Sequence, residues 1–438
     1  VRVLSSVLGQ NYPSDELEYS WKKLMQNHPH DSICCCSVDE VQDEMATRFN
    51  KSKQVADYLV SEGKRYIADK INTKEYEKYK NALPFVVFNT AGRERTSVVS
   101  VEIDVTRKSG WLKKCAYDLD EINVPNYKLI DSDGNSIPFK IEDLGVKFGY
   151  DLPKDKFRQP YMARRVRVTF EAENISAVGY KTYALVEGDT EKVTDTLVSS
   201  ENCMENDAIR VEINKNGSLN VTDKASGRTY KGVAYYEETG DLGNEYMYKM
   251  PEGSKAITTQ DTVAKIELAE DEPYRAMYKI TNTITVPKSG DDNFEDEKSH
   301  MVFFKERVGG RSNDTVEMKI ETFVSLDKNG KGVKIKTRFD NEVKDHRVRI
   351  MVPTGINSDV HKADSVFEVV TRNNRHNAGW NNPSACEHEQ GFVSIDDGEK
   401  GIAVANIGLY EYEMLPDLDN TIAVTILRAV GEMGDWGV

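Results

Sequence analysis

Long apolar runs are missing from this 438-residue sequence. None approaches the roughly 18 residues that a membrane-crossing helix needs, so no membrane partner is expected. Basic residues are in deficit: 58 Lys and Arg stand against 73 Asp and Glu, for a net charge of -15. Phosphate recognition depends on clustered Lys and Arg, which argues against nucleic acid as a partner. Cysteine is scarce too, with six in all and three of them adjacent. Neighbouring cysteines do not make a disulfide scaffold, and the reading is a reducing, cytoplasmic setting. Internal repeats and low-complexity tracts are also lacking. The chain opens on "VRVLSS" without an initiator Met and stops at "GEMGDWGV" without a closing element, which reads as a piece of a longer polypeptide. What remains, 39% hydrophobic and 30% charged, is the composition of a folded chain long enough for two to four domains.

The hydrophobic period changes along the chain. In "DELEYSWKKLMQN", Leu17, Trp21, Leu24 and Met25 recur at helical spacing behind Pro13 and Ser14. Ser37 with Glu40 has the form of a capping box, opening a second helix whose apolar face carries Val41, Met45, Phe49, Val55 and Leu59. A third, charged helical stretch is expected from Gly63 to about Tyr79. From Leu83 the period becomes two: "PFVVFNT", "RTSVVSVEIDV", "ARRVRVTFEA" and "GYKTYALVEG" read as strands. Asp133-Gly134, Asn216-Gly217 and Asn329-Gly330 mark hairpin turns. The acidic "KSGDDNFEDEKSH" reads as a solvated loop. Helices first, then strands without interleaved helices, give an α+β class with separate helical and antiparallel β layers. The expected domains are a helical segment at 1–80, a small β-sandwich at 83–190 and a large β domain at 200–438.

Candidate chemistry concentrates in "WKKLMQNHPHDSICCCS", which holds two of the seven histidines, an aspartate and three cysteines. Imidazole nitrogen and carboxylate oxygen both suit zinc, and a loop held between two helices can fix them. Two ligands do not complete a zinc site, however, and no second His/Asp/Cys cluster lies nearby; a capping or packing role stays open. Cys34, Cys35 and Cys36 cannot all turn towards one metal and have no C-x-x-C partner, so they read as small buried residues under a tight loop. His346 in "KDHRVRI" reads as part of a polar strand face, and His361, His376 and His388 as loop residues. "GDLGNEYMYKMPEG" is a glycine-rich loop in which Tyr246 and Tyr248 could stack on or hydrogen-bond a sugar.

These residues carry a resemblance. "QNHPHDSICCCSVDEVQDEMATRF" closely resembles the signature of bacterial glycoside hydrolase family 38 α-mannosidases, QNHPHDSICGCS-V-D-E-V followed by a helix with M-x-T-R-F. "PFVVFNT", "NGSLNVTDKASGRTY", "GDLGNEYMY", "KDHRVRIMVPT" and "TILRAVGEMGDWGV" resemble further blocks of that family in the same order, so the likeness spans nearly the whole chain.

The resemblance implies a retaining, exo-acting α-mannosidase with one zinc. Its nucleophile, acid/base and other zinc ligands would lie on an N-terminal barrel-like domain absent here, so the fragment alone is expected to be inactive. It also implies that residues 1–80 belong to a three-helix bundle and that 200–438 form a galactose-mutarotase-like supersandwich, cut at its C-terminus. Residue by residue, His30 matches the histidine zinc ligand and Asp31 the aspartate that holds hydroxyls of the bound mannose. Tyr246 resembles a sugar-contacting tyrosine of the large β domain, and Arg428 falls in a family block with a structural strand role. The expected partner is an α-mannoside, with a homo-oligomer left open. One departure is Cys35, which stands where the family has glycine; at a positive φ it would be strained by about 1 kcal/mol. Two alternatives remain: a mannosylglycerate hydrolase, possibly acting on the 6-phosphorylated sugar, and a non-catalytic carbohydrate-binding or structural β module.

Overall fold

The computed structural model describes residues 1–34, 37–153, 155–189, 195–381 and 384–430. It divides into two compact units: Val1–Asp195 with Glu272–Tyr274, and Thr196–Asp271 with the chain from Arg275 onward.

The first unit opens with helices α1 (Arg2–Val7), α2 (Ser14–Met25), the one-turn α3 (His30–Ile33) and α4 (Asp39–Ala68). Asp15 and Glu16 in the first turn of α2, and Lys22 and Lys23 in its last, oppose the helix dipole at both ends. Met45, Leu59, Gly63 and Ile67 form the buried stripe of α4. Ser20 donates to the Ser52 carbonyl at 3.1 Å, which ties α2 to α4.

Two expectations are corrected here. No third helix begins at Gly63: α4 runs through it to Ala68, because a glycine within a helix is tolerated, and a 3-10 turn at Lys74–Tyr76 follows. Ser37 is not the cap, since Val38 occupies that position without a side-chain bond. The Ser37 hydroxyl instead donates to the Asp31 carbonyl at 2.9 Å.

Beyond α4, Tyr76 packs on Ile130, Ala184 and Val186, and its hydroxyl donates to Thr182 at 3.2 Å. The post-helical segment is thereby sewn onto the sandwich that follows, which accounts for helices and sandwich forming one unit. The sandwich strands are β1 (Leu83–Asn89), β2 (Arg95–Lys108), β3 (Tyr127–Asp131), β4 (Ser136–Ile137), β5 (Phe139–Asp151), β6 (Gln159–Ile175) and β7 (Gly179–Glu187). They form two antiparallel sheets, β1-β7-β3-β4 and β2-β6-β5. On β6 the residues Val166, Val168, Phe170 and Ala172 are fully buried. The intervening Arg165 and Arg167 point outward to Asp104 and Glu102, at 2.6 and 3.0 Å. This is the period-two pattern of a sheet wet on one face. At the Asp133-Gly134 turn, Asp131 Oδ1 accepts from the amides of Asp133 and Asn135, and Gly134 takes φ +88°.

The second unit is built of antiparallel sheets of five, six, four and four strands. Its main core gathers Val211, Leu219, Tyr278, Ile280, Val324, Leu326, Tyr412 and Ile422. The Asn216-Gly217 turn joins Ile209–Ile213 to Leu219–Asp223. Gly217 has φ +84°, and a Cβ there would meet Ile280 at 2.7 Å, so glycine is required on both counts. The acidic stretch read as a loop contains a helix, Asp292–Ser299. Asp291 caps it by accepting from Phe294 N at 2.8 Å, and Phe294 is buried beneath it. One buried aromatic in an acidic run overrides composition. The class is α+β, mostly strand, with most of the helix before the antiparallel sheets; contrary to the expectation of uninterrupted strands, two short helices, Leu112–Asp120 and Asp292–Ser299, lie among them.

Candidate functional site

The His30 turn is held from behind. Asn27 is fully buried, and its side-chain amide donates to the Met45 carbonyl on α4 at 2.9 Å. Pro29, extended at φ -49° and ψ 139°, starts α3, and its carbonyl accepts from Ser32 and Ile33 at 3.0 Å. His30 is therefore the first residue of a helical turn, with its side chain 89% exposed and Nε2 3.0 Å from Asp31 Oδ1. The Ser37 bond to the Asp31 carbonyl closes the turn from its far end.

Among the described residues no three of His, Cys, Asp and Glu converge as a metal site. The exposed imidazole and carboxylate fit zinc by donor type but supply fewer than the three or four ligands it needs, so this set fits only as part of a site. Cys34 is exposed rather than buried, contrary to the reading of the three cysteines as packed under the loop. Cys35 and Cys36 lie outside the described residues, and with them the glycine-to-cysteine departure.

The Tyr246 loop belongs to the second unit and is locked by a buried carboxylate. Asp241 Oδ1 accepts from Gly243 N at 2.9 Å and Lys249 N at 3.1 Å. Its Oδ2 accepts from Arg428 Nε and Nη2 at 2.9 and 2.7 Å. Arg428 Nη2 also donates to the Asn244 carbonyl at 2.8 Å, and Asn244 Oδ1 accepts from the amides of Tyr246 and Met247 at 3.0 and 2.9 Å. Gly243 has no room for a side chain, since a Cβ would lie 1.7 Å from the Met247 carbonyl oxygen. Arg307 donates to the Leu242 and Gly243 carbonyls, and Lys249 to those of Phe304, Lys305 and Arg307.

The outcome is a tyrosine 65% exposed on a fixed backbone. Tyr248 does not share this role. It is buried, donates to Thr239 at 2.9 Å, and lies with the Arg347 guanidinium 3.3 Å from its ring centroid, so it is part of the loop's foundation and not a sugar platform. Replacing Arg428 by alanine leaves the Asp241 carboxylate buried and short of its charged partner. The expected cost is about 3 kcal/mol in chemical denaturation, part of it recovered by Arg428→Lys.

Residues 80–187 match the glycosyl hydrolases family 38 C-terminal domain 1, and residues 204–432 match the glycosyl hydrolases family 38 C-terminal domain. The chain belongs to glycoside hydrolase family 38. An alpha-mannosidase from Enterococcus faecalis V583 superposes with a TM-score of 0.95 at 40% identity, over 100% of this chain and 49% of that one. A second Enterococcus faecalis family 38 structure gives 0.92 at 39% identity, over 99% and 51%. A Halalkalibacterium halodurans protein, provisionally named a mannosylglycerate hydrolase, is 39% identical across 97% of this chain and 48% of its own length. The family 38 chain thus spans about half the length of these relatives.

Sequence reasoning missed the buried charge network of this family 38 chain. Glu413 is engaged by both Arg347 and Arg349, all three nearly inaccessible; Arg349 also holds Glu237, with Nε at 3.1 Å from Oε1. Arg347 Nη1 approaches Cys386 Sγ at 3.3 Å, and Glu413 Oε1 accepts from Ala385 N at 3.1 Å. His346 is likewise no surface residue. It is fully buried between Glu238 and Asn341, at 3.2 and 2.9 Å. His361 and His388 lie in strands, not loops, and His361 is buried between Asn374 and Tyr412. The available signal was "HRVRI", in which charged residues alternate with apolar ones as on a half-wet strand; only the register shows that both faces are covered.

Proposed function

We propose that this chain is the C-terminal part of a zinc-dependent, retaining family 38 hydrolase of α-mannosides working in the cytoplasm, with His30 donating to the zinc. The observation that carries the reading is the exposed His30–Asp31 pair, held at 3.0 Å on a turn whose underside is pinned by buried Asn27. Exposure matters because a packing histidine would be covered. The remaining zinc ligands and the two reacting carboxylates belong to polypeptide outside these residues, in keeping with relatives about twice as long. When bound, zinc would supply a Lewis-acid anchor for sugar hydroxyls.

The chain's own residues orient the sugar. In the first unit Asp31 offers an acceptor for hydroxyls of the terminal mannose; in the second, taken by itself, Tyr246 offers a ring and a hydroxyl suited to a sugar from its locked loop. Neither transfers a proton. Tyr246→Ala in the full-length protein is expected to lower kcat/KM on p-nitrophenyl α-mannoside roughly tenfold with zinc content unchanged, and an unaltered kcat/KM would remove Tyr246 from the site.

The name of the Halalkalibacterium halodurans relative favours a second reading within the same chemistry, with α-mannosylglycerate as the substrate. Parallel assays on mannosylglycerate and a plain α-mannobioside decide between them by the ratio of kcat/KM.

A further inference from the structure

A cleft of about 560 Å³ opens in the second unit between the strand Glu368–Asn373, the turn 374–381 and the short strand Glu387–His388. It involves none of His30, Asp31 and Tyr246. Trp380 lines it, 45% exposed but not free to move. Its ring stacks on His376 at 4.4 Å between centroids and 19° between planes, and its indole N–H donates to the Ser384 carbonyl at 3.0 Å. An exposed tryptophan held in this way is an apolar plate in a cleft whose rim carries polar groups.

Two lining residues of the cleft, Arg372 and Glu387, are held by a buried polar group that does not itself line it. The Tyr412 hydroxyl is within bonding distance of His361 Nε2 at 2.7 Å, Arg372 Nη1 at 2.8 Å and Glu387 Oε2 at 3.2 Å. Arg372 also reaches Glu387 at 2.9 Å and the His388 carbonyl at 2.6 Å. Burial holds the His361 imidazole below its ordinary pKa, so it gains no positive charge near neutral pH.

The full charges of the cleft pair off locally, Glu387 with Arg372 at 2.9 Å and facing His376 at 3.6 Å, and Arg375 with Asp417 at 2.5 Å. An anion site would leave an arginine unspent. The Cys386 thiol is pushed up to about 12 by burial and by Glu413, so the cleft has no thiolate nucleophile. No trio of metal ligands converges there among the described residues. What remains is a fixed aromatic face beside rigid hydrogen-bonding groups with no net charge, a combination suited to a ring with one C–H face and a rim of hydroxyls.

We propose that this cleft is a saccharide-binding site, taking a neutral hexose whose C–H face lies on Trp380 and whose hydroxyls meet Glu387, His388 and Asn377. Saturation-transfer NMR of the 438-residue chain with methyl α-mannopyranoside tests it. The expected result is saturable binding in the millimolar range, weakened roughly tenfold by Trp380→Ala, less by Trp380→Phe, and unchanged by His30→Ala. Thermal unfolding of each variant separates loss of the plate from loss of the fold. No saturable binding, undiminished binding by a folded Trp380→Ala protein, or loss of binding in His30→Ala would overturn the proposal. So would binding of D-glycerate in place of the sugar, because that requires uncompensated positive charge. A full-length protein without mannosidase activity whose sugar binding still depends on Trp380 would sink the hydrolase reading and leave this one standing.

Discussion

Replacing His30 by alanine in the full-length protein is expected to lower kcat on an α-mannoside by at least about a hundredfold. Changing a residue that merely orients a metal ligand already costs ten- to a hundredfold, so removing the ligand belongs at or beyond the upper end. The structure gives reason to expect a clean experiment. The His30 side chain is 89% exposed and pairs with Asp31 among the described residues, so its loss opens no cavity and leaves the Asn27 anchor intact. With the metal stripped from both proteins, thermal stability of the variant should match that of the parent. Asp31→Asn forms a contrasting pair with it: the zinc ligand remains while the charged acceptor for sugar hydroxyls is gone. There kcat/KM is expected to fall about ten- to a hundredfold, mainly through KM. If both variants lost activity only because they unfolded at lower temperature, the turn would be structural and nothing more.

Glu413→Ala is expected to be the most destabilising single change on the charged side of the fold, by about 3–5 kcal/mol. Arg347 and Arg349 are both nearly inaccessible and both face this carboxylate. Removing it leaves two guanidinium groups buried, with Glu237 able to compensate Arg349 but not Arg347. Urea denaturation of the wild type and the variant measures the loss directly, and a change below about 1 kcal/mol would show the network to be solvated.

The same residue gives a pH signature. Burial pushes its carboxyl up, but Arg347 and Arg349 outweigh burial and hold it below the ordinary 4.5. A pKa lower in the folded than in the unfolded state means stability fully present above about pH 4.5 and lost as pH falls through the folded value. The wild type should therefore lose stability on acidification in that window more steeply than Glu413→Gln.

How much of this was legible in the sequence follows from how far apart the interacting residues lie. The His30 turn is contiguous, so its donors and its resemblance to family 38 could be read from a dozen letters, and the period-two strands of the sandwich were visible for the same reason. The lock on the Tyr246 loop was not. Asp241 and Arg428 are 187 positions apart, and only the pairing of Tyr235–Gly240 with His346–Val352, and of that strand with Thr421–Ala429, brings them together. Tyr246 and Tyr248 look equivalent in "NEYMYK", and plain alternation would put both on one side; the turn that Asn244 holds at Tyr246 and Met247 breaks it, leaving Tyr246 exposed and Tyr248 buried under Arg347. The short helix Leu112–Asp120 escaped notice because just two of its positions, Cys115 and Leu119, are buried, too few for a periodic signal. Buried charge misled most. Arg347, Arg349 and His346 read as surface residues because charge is normally outside, and pairing across strands is invisible to composition.

The central claim is that His30 holds a metal ion, and equilibrium zinc binding tests it most directly. The full-length protein and its His30→Ala variant, both stripped with a chelator and dialysed against the same buffered free zinc, are assayed for bound metal by mass spectrometry. The account predicts one tightly held zinc per wild-type chain and none in the variant at that concentration. Equal zinc in the two proteins, or none in either, would contradict it.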